Sequence, residues 1–252
     1  MPRYKLTIEF DGTPFVGWQR QDNGPSVQGA LEAAAKRFCG EATPVHGAGR
    51  TDAGVHARAM VAHIDFERAH SVDVIRDALN HHLRPNPVAV LSAEPVDDDF
   101  HARFSCIQRA YEYRYIDRRP PLTLEANRAW RTPRPLNVDA MHDAAQLLVG
   151  KHDFSTFRAA ACQADTPIKT LNEISVARVD DMVFLRCAAR SFLHHQVRSF
   201  AGCLQEVGSE RWRAEDLKAA LKARSRKACA VVAPAHGLYF LRADYAHADG
   251  LR

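Results

Sequence analysis

The amino-acid sequence predicts an α+β fold built from two halves, each with the element order βαββαβ. Segments in which apolar and polar residues alternate, as in half-buried strands, recur along the chain, and segments with helical apolar spacing and capping residues lie between them. This order of elements occurs twice. Because 252 residues suffice for two compact domains, we expect one domain over residues 1–104 and a second over 105–252.

The first half begins with a strand over residues 4–10, where apolar side chains alternate with polar ones. Ser26 is a suitable N-cap for a helix whose apolar residues have helical spacing, and Gly40 is a suitable residue to end it. The other elements predicted in this half are a short strand at 43–46, a strand at 59–66, a helix at 73–83 and a strand at 88–96.

The second half begins with an alternating strand over residues 109–117, followed by irregular proline-rich chain over 120–135. Asn137 is a suitable N-cap for the next helix, which Gly150 is expected to end. The remaining predicted elements are strands at 171–179 and 182–188 joined by an Asp180-Asp181 turn, a helix at 192–207, a helix containing Glu215 and Asp216, and a strand at 237–243.

The order βαββαβ is that of a ferredoxin-like unit, a four-stranded antiparallel sheet with its helices on one face. Two such units indicate an internal duplication. If the two antiparallel sheets join edge to edge, a central basic cleft forms between the halves. We expect the loop around Asp52 to line this cleft from one half and an arginine- and tyrosine-bearing strand to line it from the other.

The loop between residues 47 and 57 holds one carboxylate, Asp52, among glycines and alanines. Small residues let a backbone or a flat ring approach closely, and Arg50 shares a face with Asp52 if the segment is extended. The glycine spacing matches neither a Walker loop nor a dinucleotide-binding fingerprint. The same residues also describe an ordinary turn, the commoner role for aspartate, in which Asp52 caps nearby amides and Gly54 supplies a positive φ.

The formal net charge is only +4, from 34 basic and 30 acidic residues, so affinity for a polyanion depends on local clustering. Residues 103–134 contain eight arginines, three acidic residues and five interleaved aromatic residues. Since arginines pair with phosphates and rings stack on unpaired bases, the segment fits an RNA-binding surface. It equally fits a solvated basic face. The arginines are Arg103, Arg109, Arg114, Arg118, Arg119, Arg128, Arg131 and Arg134.

The six cysteines are scattered without a Cys-x-x-Cys pair, which predicts reduced thiols rather than a zinc site or a disulfide framework. The start of the chain has no apolar signal region, and no run of about eighteen apolar residues occurs. We therefore expect a cytoplasmic protein with no membrane association. The pairs His81-His82 and His194-His195 lack partners at metal-ligand spacing, so no metal site is predicted.

Seven short motifs follow one another over nearly the whole chain, at residues 10–12, 17–21, 47–56, 100–105, 153–158, 192–198 and 237–239. The third of them reads Gly-Ala-Gly-Arg-Thr-Asp-Ala-Gly-Val-His and contains Asp52. Together they resemble the motifs of the TruA-type tRNA pseudouridine synthases. No single motif is long enough to be specific, but the ordered set is.

This resemblance implies an isomerase that converts uridine to pseudouridine at positions 38, 39 and 40 in the anticodon stem-loop of tRNAs. It further implies a homodimer in which one tRNA touches both subunits, and a reaction that uses neither a metal nor an organic cofactor. By motif position, Asp52 matches the catalytic aspartate, Tyr111 the tyrosine that stacks on the target base, and Arg198 the arginine that pairs with the aspartate. Arg50 matches a residue associated with base flipping.

The resemblance also implies contacts to the tRNA from two regions of the chain and from the basic segment. The expected contact residues are Phe100, His101, Ala102, Arg103, Phe104, Cys162, Gln163 and Arg119. Two residues depart from the family pattern, because Glu112 and Asp165 place negative charge where some relatives carry neutral or basic residues.

Two other interpretations of the same residues remain. A duplicated RNA-binding module without catalysis explains the basic aromatic strand but leaves Asp52 and its glycines without a role. A glycosylase would use the same carboxylate at an anomeric carbon and release free base. Analysis of the reaction product distinguishes all three.

Overall fold

The computed structural model describes residues 1–246, and their α-helices and largely antiparallel strands confirm the predicted α+β class. These residues form two compact units. The first comprises Met1–Arg109 together with the described residues from Tyr239 onward, and the second comprises Ala110–Leu238. A division of the chain at residue 104, with the final strand in the second domain, stays a prediction.

The described part of the chain contains ten strands and five α-helices. Up to residue 96 they are β1 (Arg3–Phe10), α1 (Val27–Cys39), β2 (Val45–Gly47), β3 (His56–Asp65), α2 (Val72–Leu83) and β4 (Val88–Val96). After it they are β5 (Cys106–Ile116), β6 (Trp130–Arg131), α3 (Val138–Gln146), β7 (Gly150–Asp153), β8 (Ile168–Val179), β9 (Met182–Ala189), α4 (Gln196–Gly208), α5 (Ala214–Ala223) and β10 (Leu238–Tyr245).

In the first unit, the predicted order βαββαβ runs from β1 to β4. Strand β1 lies between β4 and β3 and is antiparallel to both, and β2 pairs with β3. Strand β10 runs parallel to β3, with Tyr239 opposite His56. Leu6, Ile8 and Ile64 are fully buried, so β1 and β3 form the centre of this unit's core, over which α1 and α2 contact each other.

In the second unit, the strands follow the order β5-β9-β8-β7, and the two-residue β6 pairs in parallel with β5. Helix α3 contacts both β8 and α4. The core of this unit is aromatic. The ring centroid of Phe200 in α4 lies 5.4 Å from that of Phe154 and 5.0 Å from that of Phe157. Large rings thus fill the space between sheet and helices and fix the position of α4.

The predicted capping residues bound helix α1 at both of its ends. The Ser26 side chain accepts a hydrogen bond from the Gly29 amide at 3.1 Å, and Gly40 closes the helix with φ 85°. Asn137 caps α3 in the same way through the Ala140 amide. Helix α3 ends at Gln146, before the expected Gly150, which instead has φ 102° and begins β7.

Several boundaries differ from the sequence-based prediction. Helix α4 begins at Gln196 rather than near residue 192, because His195 adopts a left-handed backbone with φ 64°. Strand β3 begins at His56, three residues earlier than expected, which shortens the loop that carries Asp52. Strands β6 and β7 were not predicted, since two and four residues are too few to show an alternating pattern. Among the residues described, no helix is both long and apolar enough to cross a membrane.

Candidate active site

Asp52 lies in the loop between β2 and β3, where its side chain is half-buried and that of Arg50 is exposed. The backbone of Asp52 pairs with Gly17 in an isolated antiparallel bridge, and the Trp18 amide donates to the Thr51 carbonyl at 3.1 Å. The Val55 amide donates to the Asp52 carbonyl at 3.2 Å, with Gly54 at φ 76°. The turn expected at Asp52 therefore forms, and it holds the carboxylate on a backbone that is bonded on both sides.

Glycines allow this loop to touch its neighbours at backbone distance. A Cβ at Gly12 would overlap the Val55 carbonyl, and a Cβ at Gly17, whose φ is 124°, would lie 2.6 Å from the Thr51 carbonyl. A Cβ at Gly47 would lie 2.5 Å from the Trp18 indole. Since real side chains do not approach so closely, glycine at these positions is a packing requirement, and the position of Asp52 depends on it.

The end of the Asp52 loop is fixed by His56, the first residue of β3. The Gly12 amide donates to His56 Nδ1 at 3.0 Å, and the imidazole stacks on the Tyr239 ring with centroids 4.7 Å apart. His56 is only 3% exposed. It therefore connects the loop to β10 in the interior of the first unit.

A second loop of the first unit, residues 100–105, is anchored through Ala102, its buried residue. The Ala102 amide donates to His63 Nδ1 at 3.2 Å, and the Ala102 carbonyl accepts from the Tyr245 hydroxyl at 2.7 Å. His101 Nδ1 accepts from the amides of Arg103 and Phe104. These bonds order the backbone of the loop.

The same loop presents an aromatic and basic surface to solvent. Phe104 is 72% exposed, and its ring lies 4.3 Å from the His101 ring and 5.5 Å from the Arg103 guanidinium. Arg103 is itself exposed. An exposed ring beside a guanidinium on an ordered backbone suits stacking on a base and pairing with a phosphate.

His63, which supports this loop, was missed by the sequence analysis. It is 2% exposed in the middle of β3, and its ring lies 4.9 Å from that of His46 and 4.6 Å from that of His101. Burial, followed by the neighbouring histidine charges, lowers the pKa of His63 to about 4. Its Nδ1 is therefore an unprotonated acceptor at neutral pH. No sequence signal distinguishes it from other strand residues.

Arg109 belongs to the arginine-rich segment but does not face solvent. It is 8% exposed, and its Nε and terminal nitrogen donate to the Ala48 carbonyl at 2.9 and 2.7 Å. The same terminal nitrogen donates to the Arg103 carbonyl at 2.7 Å. One buried guanidinium thus links the start of the Asp52 loop to the 100–105 loop, within the first unit.

In the second unit, β5 carries three buried tyrosines with different surroundings. The hydroxyls of Tyr113 and Tyr115 donate to the carbonyls of Pro234 and Ala201 at 2.8 and 2.9 Å. Burial raises the pKa of both well above the ordinary value, so both remain neutral donors. Tyr111 is 8% exposed and stands edge-on to Phe192 at 5.1 Å. Tyr113 and Tyr115 are therefore structural, while the Phe192 contact orients the Tyr111 ring.

Arg198 lies in the first turn of α4 and is half-buried. Its Nε donates to the Ala233 carbonyl at 2.8 Å, and the Ala233 amide donates back to the Arg198 carbonyl at 3.1 Å. The segment before β10 therefore sets the orientation of this arginine.

Glu112 is the departure from the family pattern whose surroundings are clearest. It is 3% exposed, with its two carboxylate oxygens 2.8 Å from Arg114 and 2.8 Å from Arg186. Both guanidiniums also lie within 6.0 Å of the Phe184 ring. Glu112 is consequently the counter-ion of two arginines, which reduces the net positive charge of this face of the sheet.

The other expected contacts of the second unit lie on irregular segments. Cys162 is half-buried, and its Sγ accepts from the His194 amide at 3.4 Å. Gln163 and Arg119 are exposed, and the Arg119 carbonyl accepts from Arg131. Asp52, Arg50 and the 100–105 loop thus belong to the first unit, whereas Tyr111, Arg198, Cys162, Gln163 and Arg119 belong to the second.

Comparison with known proteins identifies the family. A family model described as tRNA pseudouridine synthase matches residues 6–105 and 144–246. A tRNA pseudouridine synthase A of Rhodopseudomonas palustris (strain HaA2) is 61% identical over 97% of this chain and 100% of its own length. The same-named proteins of Maricaulis maris (strain MCS10) and Parvibaculum lavamentivorans (strain DS-1) are 58% and 57% identical, each over 97% of this chain and 98% and 100% of their own.

A solved chain of a Cbf5-Nop10-Gar1 complex superposes with a TM-score of 0.36 at 11% identity, over 80% of this chain and 45% of that one, which is too low to bear on the fold. The relatives cover 97% of the chain, and the family model matches the Asp52 loop and the 100–105 loop but not residues 106–143. The chain therefore belongs to the tRNA pseudouridine synthases, a family of isomerases.

Proposed function

We propose that this protein isomerises uridine to pseudouridine at positions 38, 39 and 40 of the anticodon stem-loop of tRNAs, with Asp52 as the catalytic nucleophile. The observation that carries the proposal is a half-buried carboxylate on a glycine-braced loop, in a chain whose full-length relatives are named tRNA pseudouridine synthase A. The reaction breaks the N1–C1′ bond, turns the uracil, joins C5 to C1′ and removes a proton from C5.

Asp52 acts in its ionised form at C1′. A carboxylate there either attacks the electron-poor carbon or promotes elimination to a glycal, as carboxylates do at anomeric carbons in glycosidases. The bonds of the Thr51 and Asp52 backbone support this role, because a fixed carboxylate needs little reorganisation as charge develops. We propose that Arg198 is the arginine that pairs with Asp52, the role that its motif position implies.

Base flipping accounts for the remaining catalytic residues. A stacked base costs a few kcal/mol to extrude, and stacking on an aromatic ring recovers about 1 to 3 kcal/mol. We propose that Tyr111 supplies this ring, supported by its orientation against Phe192. Arg50, which is exposed, fills the gap that the base leaves in the helix.

The tRNA is bound by the exposed Arg103 and Phe104 together with their loop neighbours Phe100, His101 and Ala102. Cys162, Gln163 and Arg119 extend the contact. The functional form is a cytoplasmic homodimer that uses no metal or organic cofactor. Sedimentation of the purified protein with and without tRNA tests the dimer.

The catalytic proposal is tested with tRNA carrying tritium at uridine C5. The wild-type protein is expected to release tritium to water, and Asp52→Asn to release it at less than about one thousandth of that rate while still binding tRNA. Asp22→Asn, which changes an exposed aspartate of the same unit, is the matched control and is expected to match the wild type.

Site specificity is tested with transcripts in which uridines 38 to 40 are replaced by cytidine. Release limited to transcripts with a uridine at these positions supports the proposal, whereas equal release from the substituted transcripts contradicts it. Free uracil among the products would instead indicate a glycosylase. If no transcript released tritium, the catalytic proposal would be contradicted, and the protein would be interpreted as a tRNA-binding protein without this activity.

A further inference from the structure

Two free thiols of the second unit lie in direct contact. The Sγ of Cys203, in α4, lies 3.7 Å from the Sγ of Cys229. Cys229 directly follows a short helical turn at residues 226–228. Cys203 is fully buried, whereas Cys229 is partly exposed. The pair lies outside the residues to which a catalytic or RNA-binding role is given above.

The backbone around the pair brings the two segments together. A Cβ at Gly202 would overlap the Val231 carbonyl, so glycine at that position of α4 lets residues 229–233 pass against the helix. Val231 is 62% exposed. The segment is therefore packed on α4 on one side and exposed at Val231 on the other, and Cys229 is itself accessible in part to small oxidants.

The electrostatic surroundings make the two thiols unequal. A hydrogen bond from the Cys203 thiol, followed by the charge of Arg226, lowers the pKa of Cys229 to about 7 despite its partial burial. The same hydrogen bond and full burial raise the pKa of Cys203 above its ordinary value. Near neutral pH a large fraction of Cys229 is thus thiolate, the nucleophilic form, while Cys203 stays protonated.

We propose that Cys203 and Cys229 form an oxidation site for hydroperoxides, at which Cys229 reacts first and Cys203 closes a disulfide. In the first step, the Cys229 thiolate attacks hydrogen peroxide, the O–O bond breaks, and one proton from solvent completes a sulfenic acid and a molecule of water. In the second, the Cys203 sulfur displaces the hydroxyl from Cys229, and the Cys203 proton leaves with it as water. Two thiols are oxidised and one peroxide is reduced to two waters.

The movement required is small. A disulfide has a sulfur–sulfur distance of about 2.05 Å, so the two sulfurs must approach each other by about 1.7 Å. The start of the segment can supply this shift, because Cys229 and Ala230 are partly exposed. The same segment carries Ala233, whose carbonyl and amide bond Arg198. A backbone shift at Cys229 that reaches Ala233 would move the carbonyl that orients Arg198, and its effect on the reaction rests on the proposed function.

The test is peptide mapping of the full-length reduced protein after treatment with hydrogen peroxide and alkylation. We expect a Cys203–Cys229 cross-linked peptide that dithiothreitol removes, while Cys39, a partly exposed cysteine of the first unit, stays alkylated. Cys203→Ser, which keeps a hydrogen-bond donor, should trap a sulfenic acid on Cys229 that dimedone labels. Cys203→Ala, used if the serine variant folds poorly, should trap it more slowly because the donor is lost. Cys39→Ser is the matched control and should form the cross-link at the wild-type rate.

Absence of the cross-link at peroxide concentrations that oxidise Cys39 would overturn the proposal, as would dimedone labelling of Cys39 in preference to Cys229. The peptide map needs no activity, so it stands apart from the test of Asp52. In the activity arm, the cross-linked protein should release tritium from tRNA at least about threefold more slowly, and dithiothreitol should restore the rate. An unchanged rate in fully cross-linked protein would overturn the link to Arg198.

Discussion

His63 is a neutral histidine in the interior of the first unit, and its charge state matters for stability. The Ala102 amide donates to its Nδ1, and burial with the neighbouring histidine charges lowers its pKa to about 4. In the unfolded chain the pKa of histidine is about 6.5. Between these two values the unfolded state binds a proton that the folded state does not, so the stability that His63 contributes is present above pH 6.5 and is lost as the pH falls toward 4.

We expect His63→Asn to flatten this dependence, because the asparagine amide oxygen replaces the Nδ1 acceptor without titrating. By pH 5, the free energy of unfolding of the wild type should have fallen by about 2 kcal/mol more, relative to pH 7.5, than that of the variant. Urea unfolding at a series of pH values measures both. Parallel curves for the two proteins would show that His63 is not the group responsible.

Two serines at helix starts allow a matched test at the scale of the element. Ser26 caps α1 through the Gly29 amide at 3.1 Å, whereas Ser71 precedes α2 without a side-chain capping bond. We expect Ser26→Ala to lower the free energy of unfolding by about 1 kcal/mol and Ser71→Ala by less than about 0.3 kcal/mol. Urea unfolding of both variants at one pH is sufficient. Equal losses would mean that the Ser26 bond contributes nothing beyond helix propensity.

The helices and strands also show which of their boundaries local sequence patterns predict and which they do not. The cap residues Ser26 and Asn137 are confirmed, because a cap depends on neighbours three residues away. Helix α4 begins four residues after the predicted start near residue 192, since the left-handed backbone of His195 interrupts an apolar pattern that continues through it. Strand β6 exists only through its parallel pairing with β5, which is a long-range contact that no local pattern encodes.

For the whole molecule, the main prediction concerns tRNA binding by the 100–105 loop. We expect Arg103→Ala to weaken tRNA binding and to reduce the slope of log Kd against log salt concentration by about one, as the loss of one phosphate contact should. Filter binding at four or more salt concentrations measures the slope. Arg103 is suited to this test because it is exposed, whereas Arg109 in the same segment is buried.

The matched control is Arg76→Ala. The Arg76 guanidinium lies 2.8 Å from both Asp73 and Asp77 on α2, so its charge is already compensated. We expect the control to leave both affinity and salt slope at the wild-type values. If Arg103→Ala kept the wild-type slope, Arg103 would not be a phosphate contact. The strongest reason for proposing that the 100–105 loop binds RNA would then be lost.

The sequence alone determined the α+β class, the element order up to residue 96, the caps of two helices and the motifs around Asp52. These depend on local periodicity, on capping geometry and on short motifs, all of which involve residues that are close together in the sequence. The predicted domain boundary and the roles of Tyr111, Arg198 and Arg50 stay predictions.

The tertiary structure decided which charged and polar residues are internal. Arg109 was counted with a basic surface, yet it is buried and bonds the carbonyls of Ala48 and Arg103. His63 had no assigned role, yet it supports the 100–105 loop from a strand that is buried continuously from Met60 to Ile64. Alternation along a strand shows which residues share a face, but what covers that face is set by residues distant in sequence, and therefore by the fold.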